Sequence, residues 1–303
     1  MRLAMIGLGR MGGNMARRLR RGGIEVVGYN RTRAVVDQLA AEEGVIAADS
    51  PADAVGKLSS PSRVVWLMLP SGAITEEHID QLIDLLEPGD LIVDGGNSNY
   101  HDSQRRAALV AVHGLHYVDA GTSGGVWGLE NGYCMMVGGA PEAVKLLEPA
   151  LKVLAPASDR GWAHVGPVGA GHFTKMVHNG VEYGMMQALA EGFALLKGKT
   201  DFEIDLAKVA EIWRHGSVVR SWLLDLTAEV LAADQTLDRI APVVADSGEG
   251  RWTAVESIDQ GTPAPVISLA LALRFASQGH ADYANRLLAM MRNAFGGHAV
   301  EKK

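Results

Sequence analysis

The sequence predicts an α/β protein of two domains: a doubly wound parallel sheet in the N-terminal half, followed by an all-α domain. Short apolar runs alternate with amphipathic segments up to about residue 165, as in β-α-β units. From His172 onward, apolar residues recur at intervals of three and four, with no strand pattern between them. The length of 303 residues is sufficient for two domains that each bury a core.

Five segments of the first half are predicted to be strands, because they are short, apolar and bounded by polar or glycine-rich sequence. They are residues 2–6, 24–29, 63–69, 90–94 and 115–119. Proline and glycine cluster at 156–161 and 166–171, where the periodicity stops, so we predict domains at 1–166 and 167–303. Helical periodicity in the second domain covers residues 172–198, 206–213, 219–231 and 266–295.

The composition is typical of a folded protein of the cytoplasm. The formal net charge is −7, which argues against a nucleic-acid partner because phosphate binding needs a cationic surface. Cys134 is the single cysteine, which excludes a disulfide framework and a thiolate metal cage. No apolar run approaches the roughly 18 residues of a membrane span, and the N-terminal apolar run is too short for a signal peptide, so we expect no membrane partner.

A glycine-rich loop directly follows the first predicted strand and opens the first predicted helix. The loop is Gly7-Leu8-Gly9-Arg10-Met11-Gly12. Its glycines allow a tight turn, a close approach of the backbone to a pyrophosphate, and close packing of helix on strand. The helix N-terminus adds N–H donors and the positive end of a dipole. This context predicts a Rossmann-type dinucleotide-binding domain whose cofactor contacts come from these six residues.

The end of the second predicted strand bears on which dinucleotide is bound. The carboxylate that usually accepts the ribose hydroxyls of NAD is absent, and Asn30, Arg31 and Thr32 follow the strand instead. A guanidinium with neutral hydrogen-bonding groups suits a 2′-phosphate, which favours NADP. The alternative is that Asn30 or Thr32 caps the next helix and the arginines are solvated, and NAD remains possible.

Two more loops follow predicted strands at the sheet edge where ligands bind in α/β proteins. Asn97, in the loop 94–98, is placed to meet the nicotinamide or the substrate. Ser123, Gly124 and Gly125, in the loop 119–125, offer a hydroxyl and backbone amides to a carboxylate or hydroxyl. Each loop could instead be a simple glycine turn.

One predicted helix carries a stripe of chemically reactive side chains. The stripe comprises Lys175, His178, Asn179, Glu182 and Tyr183, which lie at i, i+3, i+4, i+7 and i+8. It is either a solvated face or one wall of a polar active site. Gly180 and Gly184 lower the helix propensity, and a merely solvated face is more easily built from Lys, Glu and Ala, so we favour the active site.

Taken together, these segments resemble the 6-phosphogluconate dehydrogenase family, within the wider β-hydroxyacid dehydrogenases. The resemblance spans nearly the whole chain and rests on residues 7–12, 30–32, 94–98, 122–125, 175–183 and 250–254. His178 in Lys-Met-Val-His-Asn-Gly-Val-Glu-Tyr distinguishes it from the 3-hydroxyisobutyrate relatives. The chain is similar to the short form of the family, which lacks a second helical repeat.

The resemblance implies oxidative decarboxylation of a phosphorylated sugar acid, 6-phosphogluconate, to ribulose 5-phosphate and CO2 with reduction of NADP or NAD. Lys175 would be the base, with a lowered pKa, and would then polarise the ketone; Glu182 would protonate the enol carbon. The implied substrate-positioning residues are Asn97, Ser123, Gly124, Gly125, His178 and Asn179. The implied phosphate ligands are Tyr183 and Arg274, with Arg292 and His298 of a partner subunit in a homodimer or higher homo-oligomer. No metal site is predicted, since His113 and His116 lack carboxylate or thiolate neighbours.

The chain departs from the family pattern in two places. Val126-Trp127 replaces an acidic pair, and Ser247 stands where a lysine is usual. Two other functions therefore remain open: a non-decarboxylating dehydrogenase of another β-hydroxy acid, and a catalytically silent dinucleotide-binding protein. The cationic set of Arg274, Arg292 and His298 favours a phosphorylated substrate, and the intact Lys175 and Glu182 favour an enzyme.

Overall fold

A computed structural model describes residues 1–59 and 61–301, except for the side chain of Phe295. The chain divides into two compact units, Met1–Met176 and the residues from Val177 onward. The first unit contains one eight-stranded sheet. Its strands are β1 (Arg2–Ile6), β2 (Glu25–Tyr29), β3 (Ile46–Ala47), β4 (Val64–Leu67), β5 (Leu91–Asp94), β6 (His116–Ser123), β7 (Cys134–Gly139) and β8 (Trp162–Gly166). The strand order is β3-β2-β1-β4-β5-β6-β7-β8, which reverses at β1.

Helices cover both faces of this sheet, as predicted. They are α1 (Arg10–Arg21), α2 (Arg33–Glu43), α3 (Pro51–Gly56), α4 (Ala73–Leu85), α5 (Tyr100–Ala111), α6 (Gly128–Asn131) and α7 (Pro141–Leu154). Successive side chains of a strand point to opposite faces, so β1 contributes to two apolar cores. Leu3 and Met5 pack in one cluster, and Ala4 and Ile6 pack in the other. A strand buried on both faces must be apolar throughout, which is why residues 2–6 are recognisable in the sequence.

The five predicted strands are confirmed, and three further strands were missed. β3 has only two residues, and β8 lies within the proline- and glycine-rich stretch. The sheet is also not wholly parallel, because β7 runs antiparallel to β6 while the other neighbouring pairs are parallel. The connection at 124–133 contains no full crossover helix, and a parallel pair would need one.

A 29-residue helix, α8 (Ala170–Gly198), begins in the first unit and continues into the second. The other helices of the second unit are α9 (Leu206–Trp213), α10 (Trp222–Ala233), α11 (Glu249–Asp259), α12 (Pro265–Ser277) and α13 (Asp282–Gly296). The predicted single helix at 266–295 is wrong: the chain turns at Gly279, which has a φ of +84°. Helix α11 was not predicted. None of the helices in the described ranges is long and apolar enough to cross a membrane.

Two small apolar clusters stabilise the second unit. Phe193 of α8 packs with Leu206 of α9 and Leu224 of α10 in one cluster. Tyr183 of α8 packs with Ala270 and Leu271 of α12 in the other. Helix α8 thus contributes a residue to both clusters.

Candidate active site

The glycine loop between β1 and α1 has the geometry of a pyrophosphate cradle. Gly7 has a φ of +94°, and a side chain there would collide with the Met68 carbonyl. Gly12 lies against the Gly7 carbonyl, which only a residue without Cβ allows. Gly9, by contrast, faces open space at the N-terminus of α1, where no side chain caps the helix. The first-turn N–H groups and the space beside Gly9 therefore fit a dinucleotide phosphate.

Among the other predicted cofactor residues, Asn30 makes structural hydrogen bonds, whereas Arg10 and Arg31 have exposed side chains. The Leu8 N–H donates to Asn30 Oδ1 at 3.0 Å, and Asn30 Nδ2 donates to the Thr32 carbonyl, so Asn30 braces the glycine loop. Thr32 is the N-cap of α2 but makes no side-chain cap bond. Arg10 and Arg31 are exposed. Of the residues the structure describes, none forms a hydrogen bond or ion pair with the Arg31 guanidinium.

The loop that carries Asn97 is anchored by a buried carboxylate at the end of β5. Asp94 Oδ2 accepts hydrogen bonds from Ser98 Oγ at 2.8 Å, Tyr117 Oη at 2.9 Å and Arg106 Nη1 at 2.8 Å. Asp94 and Arg106 are almost completely buried, and burial raises the pKa of the Tyr117 hydroxyl well above its ordinary value. With its loop held at both ends, Asn97 is exposed at the sheet edge.

The loop after β6 presents the predicted Ser123, Gly124 and Gly125. Both glycines have positive φ angles, +131° and +53°, so the chain turns sharply directly after the strand. Ser123 is half-buried. Val126 and Trp127, which stand in place of an acidic pair, are about half exposed at 45% and 48%.

Lys175 lies near the start of α8, where the helix rests closely on β6. The Asp119 carboxylate accepts the backbone N–H groups of Gly169 at 2.7 Å and His172 at 2.8 Å, which caps the helix. A side chain at Gly121 would collide with the Cβ of Lys175, so a glycine there permits the close approach. Lys175 itself is only 8% exposed. The base predicted from the sequence is therefore a buried lysine with a fixed backbone.

The rest of the predicted stripe lies further along α8, in the second unit. His178 Nδ1 is 3.3 Å from Asn179 Oδ1 and 3.9 Å from Glu182 Oε2. Asn179 is buried, whereas the side chains of His178 and Glu182 are 36% and 39% exposed. Lys175 and Glu182 share one face of one helix, seven residues apart.

Tyr183, which follows Glu182 on α8, contacts Arg274 of α12. Tyr183 is 5% exposed, and the Arg274 guanidinium carbon lies 3.4 Å from its ring centroid. The Tyr183 hydroxyl contacts Asp246 and Ser247. Arg292, in contrast, is exposed on α13, and His298 lies beyond that helix with its carbonyl accepting from Asn293 Nδ2. Their role toward a neighbouring subunit stays a prediction.

Comparison with known proteins is consistent with this geometry. Residues 2–166 match the family model for the NAD binding domain of 6-phosphogluconate dehydrogenase, and residues 171–289 match the model for its C-terminal domain. The chain belongs to the 6-phosphogluconate dehydrogenase family. Its dinucleotide-binding domain is thus that of a nicotinamide-dependent enzyme family.

One protein similar to this chain is an NAD(+)-dependent, decarboxylating 6-phosphogluconate dehydrogenase from Haloferax volcanii. It is 41% identical over 100% of this chain and 99% of its own. A decarboxylating 6-phosphogluconate dehydrogenase from Haemophilus ducreyi is 36% identical over 91% of this chain but only 59% of its own, so this chain spans little more than half of such longer relatives. The Plasmodium falciparum 6-phosphogluconate dehydrogenase, described in apo form and with NADP+ or 6-phosphogluconate, superposes with a TM-score of 0.85 and 28% identity over 100% of this chain and 66% of that one.

Sequence reasoning missed three buried acids that hold candidate site residues in place, namely Asp94, Asp119 and Asp246. Asp94 and Asp119 were seen only as members of loops, and Asp246 was not considered. An acidic residue that ends or interrupts a fully apolar strand is the signal that could have revealed the first two, since a buried carboxylate must find donors. Across residues 1–59 and 61–301, no three His, Cys, Asp or Glu side chains gather as metal ligands.

Proposed function

We propose that this protein catalyses the oxidative decarboxylation of 6-phosphogluconate to ribulose 5-phosphate and CO2, with reduction of NADP or NAD. The observation that carries the proposal is that a buried Lys175 and a partly exposed Glu182 lie on the same face of α8, seven residues apart. A lysine buried against β6 and a partly exposed carboxylate on the same helix give the chain a candidate base and a candidate acid, neither of which a catalytically silent cofactor-binding protein needs.

The chemistry requires a base, a carbonyl-polarising acid and a carbon acid, and two side chains of this chain can serve. Lys175 takes the proton of the 3-hydroxyl group. NADP or NAD, when bound by the glycine loop, would supply the acceptor for the hydride that leaves the carbon bearing this hydroxyl. The ammonium of Lys175 then donates to the new ketone oxygen, which draws electrons from the breaking C–C bond as CO2 leaves. Glu182 gives its proton to the resulting enol carbon while Lys175 takes back the proton of the enol hydroxyl, which completes the ketose product.

Other residues hold the substrate in this proposal. Asn97 and Ser123, with the amides of Gly124 and Gly125, would bind the carboxylate or hydroxyl end, and His178 and Asn179 would orient the chain of hydroxyls. Tyr183 and Arg274 form the phosphate end on this chain. The half-exposed side chains of His178 and Glu182 leave their polar groups accessible to a ligand.

The cofactor contacts proposed are those of residues 7–12, with Asn30, Arg31, Thr32 and Asn97. We favour NADP, because the Arg31 guanidinium is exposed and has no protein partner in the described chain, as a 2′-phosphate ligand requires. Arg33 is not available in the same way, since it forms ion pairs with Asp37 and Asp49. NAD remains the alternative, and Haloferax volcanii supplies an NAD(+)-dependent relative.

A homodimer is part of the proposal. Large apolar side chains of α8 and α13 are exposed on the single chain, among them Val181 at 47%, Tyr283 at 75% and Leu288 at 53%. Such surface favours a second copy as partner. Arg292 and His298 of the partner subunit would then reach the phosphate. The proposed domains remain 1–166 for the dinucleotide and 167–303 for substrate and dimerisation, and the proposed location remains the cytoplasm, where a single free cysteine is compatible with the reducing conditions.

The test is a direct assay with purified protein. Reduced nicotinamide absorbance is followed with 6-phosphogluconate and either NADP or NAD, while CO2 release is measured in the same samples. We expect one CO2 for each reduced dinucleotide. Reduction without CO2 would support the non-decarboxylating dehydrogenase, and no reduction with either dinucleotide would contradict the proposal. Glu182→Gln serves as the internal control, since it should slow product formation while leaving cofactor binding intact.

A further inference from the structure

Two buried polar side chains that the proposed mechanism does not use meet between α5 and α8. Ser103 of α5 is completely buried, and His172, in the first turn of α8, is 2% exposed. Ser103 Oγ lies 2.7 Å from His172 Nδ1, a distance at which either the hydroxyl or the ring N–H donates a hydrogen bond. Both residues belong to the first compact unit, although they are 69 residues apart in sequence. The bond therefore joins two helices that are distant in the chain.

The imidazole of His172 is held through one of its two nitrogens. Among residues 1–59 and 61–301, none forms a hydrogen bond with the buried Nε2. On the other side of the contact, the Ser103 hydroxyl has one further acceptor, the Asn99 carbonyl, at the long distance of 3.4 Å. Because buried polar groups need partners, the bond between Ser103 and His172 is the main hydrogen bond of both side chains.

On α5, the serine lies one turn before the arginine that holds the Asn97 loop. Arg106 Nη1 donates to Ser98 Oγ and to Asp94 Oδ2, both at 2.8 Å, and all three side chains are buried. Residues three apart on a helix share a face, so Ser103 and Arg106 project from the same side of α5. One face of α5 thus binds the Asn97 loop at one turn and the start of α8 at the adjacent turn.

On α8, the histidine lies one turn before Lys175, on the same face. The Asp119 carboxylate fixes the backbone of this turn by accepting the His172 N–H, whereas the contacts with α5 are made by side chains. Besides the histidine, Phe173 packs edge-on against the ring of Tyr100, with centroids 5.2 Å apart. A shift or rotation of this turn would displace the Lys175 amine, and a misplacement of about 1 Å can lower a rate by about a hundredfold.

We propose that Ser103 and His172 are positioning residues, whose buried hydrogen bond fixes Lys175 relative to the Asn97 loop. Because both side chains are buried, they act through α5 and α8 and do not touch the substrate or the dinucleotide. This inference rests on the proposed function, since it takes Lys175 as the base. It adds α5 to the elements that determine where the base stands.

The first experiment compares His172→Leu with His172→Asn in the full-length protein. The two replacements have nearly the same shape, but only asparagine keeps a polar atom in the place of Nδ1, and it can donate or accept there. We expect His172→Leu to lower kcat by about tenfold or more, while the dissociation constants of 6-phosphogluconate and NADP stay within about twofold of the parent values. His172→Asn should keep kcat within about threefold of the parent, because Nε2 has no described partner to lose.

His113→Leu is the matched control, because this histidine is exposed just after α5 and should be replaceable without any change in kcat. In every variant, kcat is counted per dinucleotide-binding site, so that unfolded protein does not enter the value. The dissociation constants are measured by calorimetry. A side chain that only stabilised the fold would lower the melting temperature and leave this kcat unchanged.

A double-mutant cycle provides the second measurement. Ser103→Ala should lower kcat about as much as His172→Leu, and combining the two should cost no more than about twofold further, since the bond is already lost. Hydrogen exchange of the backbone amides of residues 170–176, followed by mass spectrometry, gives a readout that does not need catalysis. Exchange should be faster in His172→Leu and Ser103→Ala than in the parent and in His172→Asn.

Equal kcat values in His172→Leu and His172→Asn would overturn the inference, and so would additive losses in the double-mutant cycle. A lower melting temperature with an unchanged kcat would do the same, because it would leave the two residues a purely structural role. Parent protein that binds NADP or NAD but does not turn over 6-phosphogluconate would refute the proposed function. Hydrogen exchange would then decide by itself whether the bond between Ser103 and His172 fixes the start of α8.

Discussion

The candidate site is built in two ways, one in each compact unit. In the first unit, backbone groups and buried carboxylates hold the parts in place: Asp94 fixes the Asn97 loop, and Asp119 caps α8 beside Lys175. In the second unit, two of the candidate side chains, His178 and Glu182, remain partly exposed. The comparison teaches that the candidate groups of the first unit are held in place by buried partners, while His178 and Glu182 of the second unit keep polar atoms accessible to solvent.

The largest effect on catalysis is expected from replacing Lys175, the buried candidate base of the first unit. Lys175→Met should lower kcat by at least about a hundredfold, because positioned acid–base catalysis is worth that much, while dinucleotide binding is retained. Steady-state kinetics and cofactor titration check this. A variant that kept more than about a tenth of the parent turnover would show that Lys175 is not the base.

The next largest effect is expected at Gly121, which lies against Lys175. Gly121→Ala places a methyl group against the Cβ of Lys175 and the Gly171 carbonyl, so the start of α8 must shift. We expect a loss of about 1–3 kcal/mol in the free energy of unfolding and a fall in kcat of tenfold or more.

Gly56→Ala is the matched control for this substitution, since nothing lies within 4 Å of a Cβ there. That variant should be as stable and active as the parent. Denaturant unfolding and kinetics measure both proteins. Equal behaviour of the two variants would contradict the idea that close packing on β6 sets the position of Lys175.

The smallest expected effect lies in the ion-pair network behind the Asn97 loop. A hydrogen bond from Arg105, helped by Arg106, lowers the pKa of the Glu76 carboxyl. Because its folded-state pKa is below the unfolded value, the charged form stabilises the fold above the unfolded pKa, and this stability is lost as the pH falls through the folded pKa. Glu76→Gln should therefore cost up to about 1 kcal/mol at neutral pH and nothing at strongly acidic pH. Urea unfolding across pH measures this, and a loss that does not shrink toward acid pH would argue against the charge as its cause.

Much of the architecture could be predicted because the signals are local. The glycine loop, the doubly buried β1 and the stripe on α8 each follow from residues close together in the sequence. What could not be predicted depends on partners distant in the chain. Asp119 finds Gly169 and His172 some fifty residues later, and Tyr183 finds Asp246. The antiparallel β7 likewise depends on a connection too irregular to suggest its direction.

The exposed Arg31 has an evolutionary consequence. Its guanidinium is exposed and forms no hydrogen bond or ion pair within the described chain. The neighbouring Asn30, by contrast, accepts the Leu8 N–H and so holds the glycine loop in place. Under the proposed cofactor contacts, selection or a protein engineer could therefore exchange this one guanidinium and change the coenzyme preference while leaving the free energy of unfolding nearly unchanged. On that proposal, lineages of this scaffold could shift between NADP and NAD through changes at a single surface position.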